Sequence, residues 1–313
     1  MGGGRRATVN IGIVGLGRMG GNMARRLARG GVRVIGFDPD ETVRSGIATE
    51  RIEVTASLDL LVSALPPPRV VWLMVPAGEM TEQALDALAP LLTAGDVIVD
   101  GGNANYHDSE RRGEALHALG LRFADCGVSG GVHGLADGYA LMFGADEQTA
   151  AMLVPYIRVL APAPDAGWVH CGTVGAGHFA KMIHNGIEYG MMQAIAEGFA
   201  LMENRRDLEL DVARIARAWQ HGSVVRSWLL DLTADFLALD PHLAGVAPVV
   251  ADSGEGRWTV EEAIAQGMPA PVLSLALMMR FASQGRGDYA NRMLAMMRNA
   301  FGGHAVVPSQ DHG

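Results

Sequence analysis

The sequence predicts a doubly wound α/β domain with a mostly parallel sheet, followed by an all-α domain. Three observations predict it. Short apolar runs alternate with helical patterns through the first half, as βαβ units require. A glycine-rich turn separates the first apolar run from the first helical pattern. Beyond about residue 172 only helical periodicity remains.

The elements follow in order. Residues 9–14 (VNIGIV) form a strand that is apolar throughout, as a parallel strand covered on both faces must be. A helical pattern runs from Met19 to about Arg29, and a second apolar run, Val32 to Phe37, ends at Asp38. Val70 to Val75 is the next apolar run, and the helical segment EMTEQALDALAPLL follows it. Val97 to Asp100 is a short strand, Asp108 to Leu119 a helix, and Arg122 to Asp125 a further strand. Gly177 to Arg205 is one long helix. Helical patterns recur at 211–221, 225–238, 259–266, 271–283 and 288–300. The expected boundary lies in GTVGAG, giving domains 1–174 and 175–313.

At 313 residues, 49% hydrophobic and 19% charged, the chain can bury a sizeable core and is not of disordered composition. A net charge of −9 gives a nucleic-acid partner no electrostatic support. An anionic substrate must be drawn by a local group of Arg, Lys and His. Cys126 and Cys171 have no metal-ligand spacing and are read as free thiols in a reducing cytoplasm. The opening MGGGRRATVN does not read as a secretory leader, and no apolar run reaches the ~18 residues of a membrane span. The expectation is therefore a cytoplasmic protein without a membrane or nucleic-acid partner.

Gly15, Gly17 and Gly20 have G-x-G-x-x-G spacing between a strand and a helix, the context in which the motif grips a dinucleotide. This makes the first domain an α/β Rossmann domain. Gly15 permits the tight turn, Gly17 lets backbone approach a pyrophosphate, and Gly20 lets helix and strand pack closely. Asp38 follows Gly15 by 23 positions at the end of the second strand. A carboxylate there accepts from the ribose hydroxyls and repels a 2′-phosphate, which favours NAD over NADP. The expected cofactor contacts are Gly15, Leu16, Gly17, Arg18, Met19, Gly20, Asp38, Val75 and Asn103, with no metal.

The most informative stretch is GAGHFAKMIHNGIEYGMMQ, residues 175–193. Lys181, His184, Asn185 and Glu188 fall at i, i+3, i+4 and i+7 and share one helical face. Ile183, Ile187, Met191 and Ile195 form an apolar stripe beside them. A helix apolar on both flanks should be buried, with its polar stripe facing a cleft. Alcohol oxidation needs a base for the hydroxyl proton, and a Lys serves if burial or nearby positive charge depresses its pKa. A Glu on the same face can return a proton later, while His and Asn hold substrate oxygens.

The run HNGIEYG after GAGH and Lys181 resembles the catalytic helix of the 6-phosphogluconate dehydrogenase family, the decarboxylating enzymes of the pentose phosphate pathway and gluconate utilisation. VDGGNANY (99–106), GVSGG (127–131), SGEGRWT (253–259) and RNAFGGH (298–304) resemble other segments of the family, so the likeness spans about residues 9–304. The resemblance implies Lys181 as general base at the C3 hydroxyl and Glu188 as the acid that protonates C1 after CO2 leaves. It implies that Asn103, His184 and Asn185 position substrate and nicotinamide. Ser129, Gly130 and Gly131 would take the substrate carboxylate, and Tyr189, Arg280, Arg298 and His304 the phosphate. Arg298 and His304 would reach a neighbouring subunit's site, which implies a homo-oligomer, dimer or tetramer. The chain is similar to the short, NAD-preferring branch. It lacks the duplicated helical half of longer members, and it has Val132 and His133 in place of an acidic pair. It has Ser253 where they carry Lys, and Asp38-Pro39 where they carry Asn-Arg-Thr. The product implied is ribulose 5-phosphate with NADH. Two alternatives stand beside this: another β-hydroxyacid dehydrogenase, of the 3-hydroxyisobutyrate type, and a non-catalytic NAD-binding sensor.

Overall fold

A computed structural model describes residues 9–48, 51–302 and 305–307. The chain divides into two compact units, Met1–His184 and Asn185–Gly313.

The first unit contains, in chain order, β1 (Asn10–Val14), α1 (Arg18–Arg29), β2 (Arg33–Phe37), α2 (Glu41–Ile47), β3 (Ile52–Val54), α3 (Leu58–Ser63), β4 (Val70–Leu73), α4 (Glu79–Leu88), β5 (Val97–Asp100), α5 (Tyr106–Ala118), β6 (Arg122–Ser129), α6 (Gly134–Asp137), β7 (Ala140–Gly144), α7 (Glu147–Leu160) and β8 (Trp168–Gly172). Among the described residues one sheet holds the eight strands in the order β3-β2-β1-β4-β5-β6-β7-β8. Every pairing is parallel except β6 with β7. The direction of each pairing follows its connection. Helical crossovers return the chain parallel, as α7 does between β7 and β8. The short link from Ser129 to Ala140 leaves β7 antiparallel to β6.

The two sheet faces bury separate cores. Ile11, Ile13, Val34, Trp72, Val99, Ala124 and Cys126 lie in the cluster that contains α1 and α7 residues. Ile35, Val71, Leu73, Ile98 and Phe123 lie in the cluster with Leu61, Leu85, Leu88 and Leu116 from α3, α4 and α5. Alternate residues of one strand thus serve opposite faces, and both faces are covered, which is why these strands are apolar throughout. Each fully buried aliphatic side chain contributes roughly 1.5–3 kcal/mol relative to exposure.

Several elements differ from the sequence expectation. β6 continues to Ser129, four residues past Asp125, because β7 pairs along it from Asp125–Gly144 to Ser129–Ala140. β3, α2, α3, β7, α7 and β8 are absent from the sequence expectation. The first three are short, and β8 (WVHCG) is half-exposed with a mixed pattern.

In the second unit lie the C-terminal part of α8 (Ala176–Asn204), then α9 (Val212–Trp219), α10 (Trp228–Leu239), α11 (Glu255–Ala265), α12 (Pro271–Ser283) and α13 (Asp288–Gly302). The unit is helical with no strand among its described residues. α9 and α10 pack on each other around Val212, Ala216, Leu230, Ala234 and Leu237, with Phe199 and Met202 of α8 against them. Asp211 and Ser227 cap these two helices through Arg214 N and Leu230 N, so the helix starts are fixed by local side chains. A smaller cluster joins Tyr189 to Ala276 and Leu277 of α12. No described helix is long and apolar enough to cross a membrane.

Candidate active site

The fingerprint turn follows β1. Gly15 has φ +90°, a conformation other residues avoid, and its N–H donates to Phe37 O at 2.8 Å. A Cβ on Gly20 would fall inside contact distance of Gly15 O, so α1 can pack this close only with glycine there. Gly17 precedes α1, and a Cβ built on it meets nothing within 4 Å. No side chain caps α1. Its first N–H groups, from Arg18 onward, therefore present a positive dipole end beside open space, which fits a pyrophosphate. The Asp38 carboxylate accepts from Leu16 N at 2.8 Å and from Asp40 N at 3.0 Å. It is thereby held against the turn, where the adenosine ribose of NAD would lie. Arg44 donates to the backbone oxygens of Asp38 and Pro39. Val75, half-buried, follows β4, and its side chain would be 3.2 Å from a Cβ on Gly15.

Asn103 is exposed just beyond β5. Its segment is anchored by Asp100, which accepts from Gly102 N at 3.1 Å and from Arg112 of α5 at 3.0 Å. Asp100 is fully buried and Arg112 is 2% exposed, so the pair is shut away from water.

The end of β6 and the start of α8 face each other. Asp125 accepts from Gly175 N at 2.7 Å and His178 N at 2.6 Å, and burial pushes its carboxyl above the usual range. The His178 ring, also buried, shares a 2.7 Å hydrogen bond with Ser109 of α5. Lys181 is 6% exposed and its aliphatic stem lies directly over Gly127. Ser129 Oγ lies 3.5 Å from His184 Nε2. Gly130 and Gly131 follow with φ of +135° and +51°, a pair of left-handed positions that form the turn out of β6. Arg26 of α1 donates to Leu135 O and Ala136 O of α6, and to Val159, Leu160 and Ala161 at the end of α7. One guanidinium thus ties the cofactor helix to the segment after this turn.

In the second unit Asn185 and Tyr189 are buried and Glu188 is half-buried on α8. The Arg280 guanidinium stacks on the Tyr189 ring at 3.4 Å and donates to Ala251 O. The Tyr189 and Ser253 hydroxyls lie 3.2 Å apart, and Ser253 donates to Glu255 at 2.5 Å. A Cβ on Gly256 would strike the Tyr189 ring. Arg257 pairs with Asp252 and also stacks on Phe281. Arg298 is exposed on α13. His304 lies outside the described residues.

One expectation about α8 is corrected. The stripe of Ile187 and Met191 is not buried within the chain: these residues are 50% and 40% exposed. The buried face is instead Lys181, Asn185 and Tyr189, with Met182, Gly186 and Gly190 beside it. Helical periodicity defines faces but not which face meets the sheet. Glycines on β6 and α11, absent from any helix-only argument, let the polar face approach. Sequence reasoning also missed Asp125, read only as a strand end, and Glu255, a buried carboxylate beside Ser253. The alternation Asp125-x-Gly127-x-Ser129 was the available signal for the first. Among the described residues, no group of three or more His, Cys, Asp or Glu could hold a metal ion.

Comparison with known families decides the relationship. Residues 10–175 match the NAD-binding domain of 6-phosphogluconate dehydrogenase, and residues 177–307 match the C-terminal domain of the same enzyme. The chain belongs to the 6-phosphogluconate dehydrogenase family. It is 39% identical over 298 residues to the putative 6-phosphogluconate dehydrogenase YqeC of Bacillus subtilis, covering 95% of this chain and 99% of that one. It is 39% identical over 305 residues to the NAD(+)-dependent decarboxylating 6-phosphogluconate dehydrogenase of Haloferax volcanii, covering 97% and 100%. Among solved structures it is similar to Plasmodium falciparum 6-phosphogluconate dehydrogenase, with a TM-score of 0.81, 25% identity, and coverage of 97% of this chain and 67% of that one. The fingerprint, the 127–131 segment and α8 all lie inside the matched spans.

Proposed function

We propose that this chain oxidises 6-phosphogluconate with NAD, releasing CO2 and ribulose 5-phosphate. The observation that carries the reading is the burial of Lys181 against β6, the strand that ends in Ser129 and the Gly130-Gly131 turn. NAD supplies the hydride acceptor. Lys181 takes the C3 hydroxyl proton as hydride leaves C3. The ketone so formed is β to the carboxylate and is itself the electron sink when CO2 departs, so the chemistry calls for no divalent ion. Glu188, two helical turns beyond Lys181 on α8, returns a proton to C1. Ser129, Gly130 and Gly131 take the substrate carboxylate, while Asn103, His184 and Asn185 orient substrate and nicotinamide. Tyr189 and Arg280 hold the phosphate, with Arg298 and His304 supplied by a neighbouring subunit. The cofactor contacts are those of the fingerprint turn, Asp38, Val75 and Asn103. The functional division falls at 174/175, where the loop after β8 leads into α8.

The test is initial-rate kinetics on 6-phosphogluconate, gluconate and 3-hydroxyisobutyrate, with NAD and NADP in parallel. Turnover is expected with 6-phosphogluconate and NAD, accompanied by CO2. Preference for 3-hydroxyisobutyrate, or NADH binding with no turnover of any sugar acid, would replace this reading with one of its two alternatives. In the same assay Asp38→Ala is expected to narrow the NAD/NADP ratio of kcat/KM. The ratio is the right quantity, because loss of the Leu16 contact weakens both cofactors alike. An unchanged ratio removes Asp38 from cofactor choice.

The protein is proposed to be a cytoplasmic homo-oligomer. The second unit exposes Leu239, Val272, Leu275, Met278, Met279 and Met293 within its described residues, apolar side chains that a subunit contact would cover. Light scattering after size exclusion should give a mass of at least twice 33.1 kDa. A monomeric mass would also end the proposed trans role of Arg298 and His304.

A further inference from the structure

We infer that β6 is a template that sets the position of the Lys181 amine, with Asp125 and Gly127 as positioning residues for proton transfer. Successive residues of a strand alternate faces, so Asp125, Gly127 and Ser129 all point to one side. Three successive levels of α8 and the turn before it meet them: the backbone N–H groups of Gly175 and His178 at Asp125, the Lys181 stem at Gly127, and His184 at Ser129. A strand advances about 6.6 Å per two residues and a helix about 4.5 Å per three. The two elements therefore cannot stay in step for long, and their agreement is confined to these three levels, with the turn that bears Lys181 in the middle.

The contact is backbone-close. A Cβ on Gly127 would overlap Lys181 Cβ and lie 2.7 Å from its Cγ. A Cβ on Gly177 would lie 2.6 Å from Met142 O and 2.7 Å from Asp125 O, and one on Gly144 would lie 2.6 Å from the Asp125 carboxylate. Asp125 fixes the helix along its axis through two N–H groups, and Gly127 fixes its distance from the sheet. A lysine has four rotatable bonds in its stem. Packing the first of them against a glycine floor removes much of that freedom before substrate arrives.

The inference rests on Lys181 being the proton acceptor. Turnover by the wild-type protein and its loss in Lys181→Ala test that reading, and only the β6 variants test this one. Gly127→Ala forces the stem off the strand. A displacement near 1 Å at a reacting group costs about 100-fold in rate. We expect kcat for 6-phosphogluconate, counted per NAD-binding site by titration, to fall about 100-fold, with the Kd for NAD within about twofold of wild type. Asp125→Asn keeps the shape but retains only one acceptor oxygen. It is expected to lower kcat about tenfold, again with NAD affinity unchanged, the size of one lost charge-assisted hydrogen bond. It decides the matter should Gly127→Ala fail to fold. A merely structural role predicts a lower melting temperature with wild-type kcat per NAD-binding site. Finding kcat within threefold of wild type in the folded variants would overturn the inference.

Discussion

Lys181→Ala is expected to abolish turnover, with kcat reduced by at least ~10³-fold while the Kd for NAD stays within about twofold. The magnitude follows from removing a positioned general base, worth typically 10²–10⁴-fold. The selectivity follows from the fold. The groups proposed for the dinucleotide lie in the turn after β1 and just past the end of β2, whereas Lys181 lies on α8 over Gly127 of β6. The truncation leaves a gap beside a glycine, so a modest loss of stability accompanies it, and kcat should therefore be measured well below the melting temperature. Isothermal titration with NADH gives the affinity on the same sample. If NAD affinity falls as steeply as kcat, Lys181 is holding the unit together rather than moving a proton, and the proposed role fails.

Asp100→Ala is the variant with the largest expected cost to stability, about 3–5 kcal/mol. That is the usual penalty for stripping one partner from a buried ion pair and leaving the other charge inside. Asp100 and Arg112 are both shut from solvent, and Arg112 keeps its 3.0 Å contact to Glu82 and a longer, 4.0 Å one to Asp108 when the carboxylate is gone. The same carboxylate accepts from Gly102, so the segment bearing Asn103 loses its tether together with α5. The urea midpoint should drop sharply, and the double variant Asp100→Leu with Arg112→Met should recover much of the loss, since well-packed apolar pairs replace buried ion pairs at little cost. A change below ~1 kcal/mol in the single variant would mean that water reaches the guanidinium in solution. A double variant as unstable as the single would mean that the Gly102 tether, not the charge, carries the effect.

Much of this architecture was legible in the residues. The short apolar strands β1, β2, β4 and β5 announce themselves because both of their faces are covered. Fingerprint glycines and Asp38 carry their meaning in spacing alone, since the turn, the helix start and the end of β2 are all local to one βαβ unit. The helices of the second unit were placed to within a few residues by periodicity, except α11. That helix begins at Glu255, earlier than the apolar pattern indicates, because Gly254 and the Tyr189 ring over Gly256 set its start.

What the residue order by itself determined was the list of elements with strong local signals, the NAD-type turn and the membership of one helical face by Lys181, Asn185 and Glu188. The tertiary structure alone decided which side of α8 is buried, that the sheet continues through β7 and β8 with a reversal, and that Asp125 and Gly127 meet a helix some 50 residues later. Periods of 2 and 3.6 are properties of a single segment and can be counted along it. A pairing between a strand and a distant helix depends on backbone approach, and the glycines that permit it leave no periodic mark.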